Sequence, residues 1–161
     1  MIKTVKLSPR LEAVLSFVQG NALVDVGTDH AHLPIAACMQ GIVQKGIACD
    51  LNAGPLETAC KNIADYGLEG KIETRLGYGL DPISEEETDC IAIAGMGGMN
   101  IVNILQKFKF FKKINRLVVQ PQRDVVLVRR TLDEMGFVFL DEVSVKEGNR
   151  FYSVIAMGGI R

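Results

Sequence analysis

Hydrophobic positions along the chain alternate between two periods. Leu11, Val14, Leu15 and Val18 fall on one face of a helix that Ser8-Pro9 opens, with serine as N-cap and proline at the first helical position, and that Gly20 ends. Ala22–Val26 follows as a short buried strand. The alternation then repeats. Helices are predicted over Leu33–Gln40 (closed by Gly41), Ala53–Tyr66 (stopped by Gly67), Gly98–Gln106 and Asp124–Met135 (stopped by Gly136). Strands are predicted over Lys45–Asp50, Ile72–Leu76, Asp89–Ala94 and Arg116–Gln120. Two extended runs, Val138–Val145 and Arg150–Met157, finish the chain around a turn at Gly148-Asn149. Short apolar strands separated by helices predict an α/β fold with a parallel sheet covered on both faces. The last two runs add an antiparallel hairpin at one edge.

A chain of 161 residues, 48% hydrophobic, corresponds to one domain over 1–161 with a full core that needs neither disulfide nor structural metal. No run approaches the ~18–20 apolar residues of a membrane span. The opening Met-Ile-Lys-Thr-Val-Lys lacks the apolar core and cleavage site of a secretory signal, so a cytoplasmic protein with no membrane partner is expected. Cys38, Cys49, Cys60 and Cys90 match neither a zinc ribbon nor a redox pair, and four buried, reduced thiols are expected. The net charge of −1 does not mark a nucleic-acid binder, but the charge is unevenly spread. Eight basic residues and one acidic residue lie between Lys107 and Arg130, and five acids without a base lie between Asp81 and Asp89. A local footprint for a polyanion and two ordinary solvated stretches both account for this pattern.

Ligands of open parallel sheets sit beyond the carboxyl ends of the strands. The first strand ends in Asp25, Gly27, Thr28, Asp29, His30 and Ala31. Gly27 allows a sharp turn, and carboxylates at Asp25 and Asp29 suit a cationic or zwitterionic ligand better than a pyrophosphate. Asp50 ends the second strand about twenty residues later, where an acid can accept from both hydroxyls of a ribose. Gly77 and Gly79 flank Tyr78 after the third strand, a pattern for close backbone approach to a flat group. Ala94, Gly95, Met96, Gly97 and Gly98 follow the fourth strand and offer bare backbone. Gln120, Pro121 and Gln122 follow the fifth, an amide pair around a rigid turn that can read a base edge. His30 and His32 are the only histidines. With carboxylates they can begin a metal site, but a polar loop residue and a packed neighbour describe them better, and no metal is expected.

Several of these runs together resemble the bacterial TrmK family of S-adenosylmethionine-dependent tRNA methyltransferases, which act on N1 of adenine 22. The resemblance rests on Leu7–Glu12, on Asp25-x-Gly27-Thr28-Asp29-His30-Ala31-x-Leu33-Pro34, and on Gly54-Pro55. It continues through Gly77-x-Gly79-Leu80, Ile93–Gly98, Gln120-Pro121 and Glu147-x-x-Arg150-x-Tyr152, and so spans nearly the whole chain. It implies a class I methyltransferase fold, Rossmann-like, with seven strands and the last one antiparallel. It implies S-adenosyl-L-methionine as cofactor, held by Asp25, Gly27, Asp50, Asn52, Gly77, Tyr78, Gly79, Asp81, Ala94 and Gly95. Tyr78 and Gln122 depart from the family pattern. His30, Met96, Gly97, Gly98, Gln120 and Pro121 would face the target base. The partner it implies is tRNA, and the basic Lys107–Arg130 segment, adjoining Gly95–Gly98 and Gln120-Pro121, then offers Lys109, Lys112, Lys113 and Arg123 as phosphate contacts. A monomer is expected, without the helical extension that family members carry after the domain.

Adenine N1 is itself a nucleophile, so the implied reaction needs positioning and stabilisation of charge on the adenine rather than a base. Asp29 is the candidate carboxylate for the N6 amino group. The alternative is that Asp29 only caps the helix that follows. A methyltransferase of the same fold with another RNA or a small molecule as substrate, and a non-catalytic nucleoside-binding module, remain as further readings.

Overall fold

The strands form one sheet of seven in the order β3-β2-β1-β4-β5-β7-β6 in a computed structural model that describes residues 4–161. β1 (Ala22–Val26), β2 (Lys45–Asp50), β3 (Ile72–Leu76), β4 (Cys90–Met96) and β5 (Arg116–Pro121) run parallel. β7 (Arg150–Ile160) returns antiparallel to β5 and pairs with β6 (Phe137–Glu147). β1, β2, β4 and β5 are short and largely apolar because helices cover both of their faces, whereas the edge strand β3 carries Glu73, Thr74 and Arg75 and is mostly not buried. Leu23, Ala92 and Val118 pack on one face with α1 (Pro9–Phe17), α2 (His32–Met39) and α3 (Ala53–Asp65). Val24, Ile91, Leu117 and Val119 pack on the other face with α4 (Gly98–Lys107) and α5 (Val125–Glu134). Among the described residues no helix is long and apolar enough to cross a membrane.

Helix ends follow the sequence signals at α1, where the Ser8 hydroxyl accepts from the backbone N–H of Leu11 at 3.3 Å. α1 stops at Phe17, short of Gly20, because Val18 is already extended. β4 runs to Met96, beyond the predicted end at Ala94. A bulge between Ala94 and Met96 lets it continue pairing with Pro121. The thiols divide differently from the expectation: Cys38, Cys49 and Cys90 are buried, whereas Cys60 is exposed. It sits on the solvent side of α3, away from the buried Leu56, Ala59 and Ile63.

The loop between α4 and β5 lies at the amino ends of the strands. The backbone N–H of Asn115 donates to the carbonyl of Asp89, whose carboxylate accepts from the N–H groups of Asn21 and Ala22 where β1 begins. Lys109, Lys112 and Lys113 are in this loop, and Lys113 pairs with Glu86. Their expected place at the mouth of the site is therefore corrected. A helix that starts at the carboxyl end of a parallel strand delivers its own carboxyl end to the opposite edge.

Gly98 opens α4 in tight contact with the start of α5. A Cβ there would lie 2.6 Å from the carbonyl oxygen of Arg123 and 2.8 Å from Asp124. Its own N–H donates to that carbonyl at 3.0 Å. Overpacking against backbone costs about 1–3 kcal/mol. Gly98→Ala should lower the unfolding free energy by that amount, read by urea melts. A variant as stable as the parent would show that this contact relaxes freely.

Candidate functional site

Two cavities meet at Gly27, at the carboxyl ends of β1, β2 and β4. One, of about 160 Å³, is lined by Asp50, Asn52, Gly77, Tyr78, Gly79, Met96 and Asn100. The other, of about 190 Å³, is lined by Arg10, Asp25, Asp29, Ala94, Gly95 and Gln122. Gly27 separates them with a φ of +71°, a conformation that a side chain disfavours. The N–H groups of Gly27 and Thr28 both donate to the Cys49 carbonyl at 2.9 Å, so the loop folds over the end of β2. A larger cavity, about 520 Å³, lies between α5 and the base of the β6–β7 hairpin, away from every loop that follows a parallel strand.

Asp25 is the buried acid of the site. Its side chain is almost wholly excluded from solvent and accepts from the Thr28 hydroxyl at 2.8 Å. Burial pushes its pKa up to about 7, the Thr28 bond opposes that rise, and Asp29 and Asp50 add to it. The folded chain thus retains a proton that the unfolded chain loses near pH 4. With more protons bound in the native state, stability falls as pH rises from about 4 to about 7 and is flat above. Asp25→Asn should abolish this slope and stabilise the protein above pH 7, by an amount on the order of a few kcal/mol. Denaturant unfolding at pH 5 and pH 8 measures it. Equal pH slopes in parent and variant would place the proton elsewhere.

Asp50 is half-buried and accepts from the backbone N–H of Asn52 at 2.9 Å, which fixes the entry to α3. Asp29 lies at the rim, its side chain 64% exposed, 3.1 Å from the His30 ring. It does not cap α2. The residue before that helix is Ala31, in the left-handed region, and no side chain caps it. His30 is exposed, whereas His32 is partly buried and its pKa is lowered chiefly by that burial. Among the described residues no group of three or more metal-ligating side chains converges.

Several expected site residues stand elsewhere or do other work. Asp81 lines neither cavity and pairs with Lys107 at 2.7 Å. Gln120 is fully buried, so it cannot present its amide to a base. Its carbonyl oxygen accepts from the N–H of Gly95 at 2.9 Å and from Arg10 at 2.8 Å, and its amide nitrogen donates to the Pro121 carbonyl. Pro121 is buried as well, and Gln122 is the exposed amide of the pair. Gly98 is buried against α5 rather than open to a ligand. Gly97 stays at the surface beside Arg123, which is exposed at this end of the sheet. Gly77 and Gly79 line their cavity, but their missing side chains are required by the fold. Added Cβ atoms would strike Pro82 and Ile104.

Arg10 is the site residue that the strand-end argument missed. It comes from the first turn of α1, and its side chain is only 15% exposed. Glu147 of β6 accepts from its backbone N–H at 3.1 Å and faces its Nε at 3.5 Å. The guanidinium thereby enters the same cavity as Asp25. The sequence signal was a lone cation beside Leu11 on a helix that otherwise buries an apolar face.

A methyltransferase domain model matches residues 7–155 of the chain. The tRNA (adenine(22)-N(1))-methyltransferase of Bacillus subtilis (strain 168) is 36% identical over 154 residues, 94% of this chain and 64% of the relative. The chain therefore spans less than two thirds of that relative's length. The crystal structure of the B. subtilis m1A22 tRNA methyltransferase TrmK superposes with a TM-score of 0.91 at 35% identity, covering 96% of this chain and 67% of that one. M. capricolum TrmK, solved with the cofactor product S-adenosylhomocysteine, superposes with a TM-score of 0.88 at 30% identity, covering 95% and 69%.

Proposed function

Since the chain belongs to the TrmK family of methyltransferase domains, we propose that it methylates N1 of adenine 22 in tRNA with S-adenosylmethionine as donor. The observation that carries this reading is the pair of cavities meeting at Gly27, with Asp50 in one and Asp25 and Asp29 in the other. Such a cleft fits a nucleoside joined to an amino acid. Asp50 is placed for the ribose hydroxyls, and Asn52, Tyr78 and Asn100 surround the base side. Asp25 and Arg10 offer opposite charges to an α-ammonium and an α-carboxylate. A buried carboxyl with a raised pKa is a fitting partner for a cationic group, which would ionise it.

The bound donor supplies an electrophilic methyl group on a sulfonium. The chain's part is to position the adenine and to stabilise charge. The rim around Ala94, Gly95, Met96 and Gln122 would hold N1 of the adenine in line. The exposed Asp29 would accept from the N6 amino group as the ring becomes positive. Gln120 acts behind the rim, since its side-chain carbonyl, which also accepts from Arg10, fixes the Gly95 N–H and thus the shape of the β4 bulge. Asp81, Gln120, Pro121, Gly98 and the three lysines of the α4–β5 loop have no direct role in this scheme.

Incubation with radiolabelled donor and an unmodified tRNA transcript, followed by nucleoside analysis, tests the proposal. The expected product is 1-methyladenosine, absent when adenine 22 is replaced by guanine. Label in another nucleoside would overturn the assignment.

A further inference from the structure

The β6–β7 hairpin projects past the end of the sheet where the cleft opens. β7 runs antiparallel to β5 with Val119 beside Ile155, so Arg150 stands five residues further on, roughly 16 Å at a strand's rise. One side of its tip is tied to the cleft through Glu147 and Arg10. The other side carries Phe151, 70% exposed. Lys146 lies directly across the ribbon from Phe151, so both side chains stand on one face. Arg150, directly across from Glu147, is exposed at the turn where the two faces of the ribbon meet, and Arg123 is exposed at the same end of the sheet. None of these three cations has an ion-pair partner among the described residues.

An isolated aromatic face among cations is the composition of a contact for single-stranded nucleic acid. The next pair on that face is Ser144 and Ser153, which leaves too little apolar area for a protein groove. A base that must leave its stack to reach the cleft also exposes its neighbour. We propose that the hairpin tip is an RNA-contacting arm, with a base next to the target stacked on Phe151 and its phosphates on Lys146 and Arg150. The identity of the partner rests on the tRNA methyltransferase reading above.

Fluorescence anisotropy with a labelled tRNA transcript, over a salt series, tests the arm. Phe151→Ala should weaken binding about 5- to 150-fold, and Phe151→Tyr should restore it. Reversing Lys146 and Arg150 together to Glu should flatten the log–log salt slope by about 1.4–1.8. Reversing Lys109 and Lys112, at the far edge of the sheet, makes the same change in charge and should leave both quantities unaltered. Parent affinity and slope in the hairpin variants, or an equal loss in the far-edge variant, would overturn the arm. Tight, hairpin-dependent binding without 1-methyladenosine formation would overturn the proposed reaction and keep the arm. Methylation that is indifferent to Phe151→Ala would do the reverse, and a parent that binds no tRNA would overturn both.

Discussion

Asp29→Asn should lower single-turnover methylation of tRNA about 100-fold while cofactor affinity stays within a few-fold. The size is that of a lost acid–base or charge-stabilising group. The structure removes the competing explanation for such a loss. A helix cap would couple Asp29 to stability, but α2 begins after Ala31 without a side-chain cap. The carboxylate is mostly in solvent, and its contact with His30 is between two exposed side chains. Exposed pairs of this kind contribute little. The variant should therefore melt within about 0.5 kcal/mol of the parent. Because asparagine keeps the shape and one acceptor oxygen, the test isolates the negative charge. A variant that turns over like the parent would assign charge stabilisation to another group at the rim.

The strand order itself was not readable from periodicity, but the alternation of short apolar runs and helices fixed which ends of the strands to inspect. That worked because in a parallel sheet every strand delivers its following loop to the same edge. Asp25, Gly27 and Asp50 were accessible for this reason, each lying within two residues of a strand end. The failures have a common cause as well. Charge counting along Lys107–Arg130 ignored that α4 carries the chain back across the sheet, so the lysines reach the wrong edge for the cleft. Gln120 looked like a reader of bases because polarity near a site suggests exposure. In the fold that polarity satisfies the N–H that the β4 bulge frees at Gly95. Arg10 and Glu147, 137 positions apart, meet only because β6 and β7 return beside α1. No local pattern encodes such a pair, although each residue sits in a run whose family resemblance was evident.

The second large effect is expected at Asp50, where Asp50→Ala should weaken cofactor binding about 10- to 150-fold. The carboxylate stands at the end of β2 on the wall of the cavity that also holds Asn52 and Tyr78. The two hydrogen bonds that a ribose diol gives a charged acceptor are together worth at least about 1.5–3 kcal/mol, which is that fold-change. The lower end of the range allows for water taking over part of the role at a half-buried site. Alanine also removes the acceptor for the Asn52 N–H, which disturbs the start of α3. Asp50→Asn separates the two effects, because its side-chain oxygen can still accept from that N–H while the charge is lost. Titration calorimetry with S-adenosylhomocysteine and its 2′-deoxy analogue completes the argument as a cycle. The parent should lose affinity for the deoxy compound, and the variants should bind both compounds alike. A folded Asp50→Ala protein with the parent's preference for the full ribose would place the diol elsewhere in the cleft.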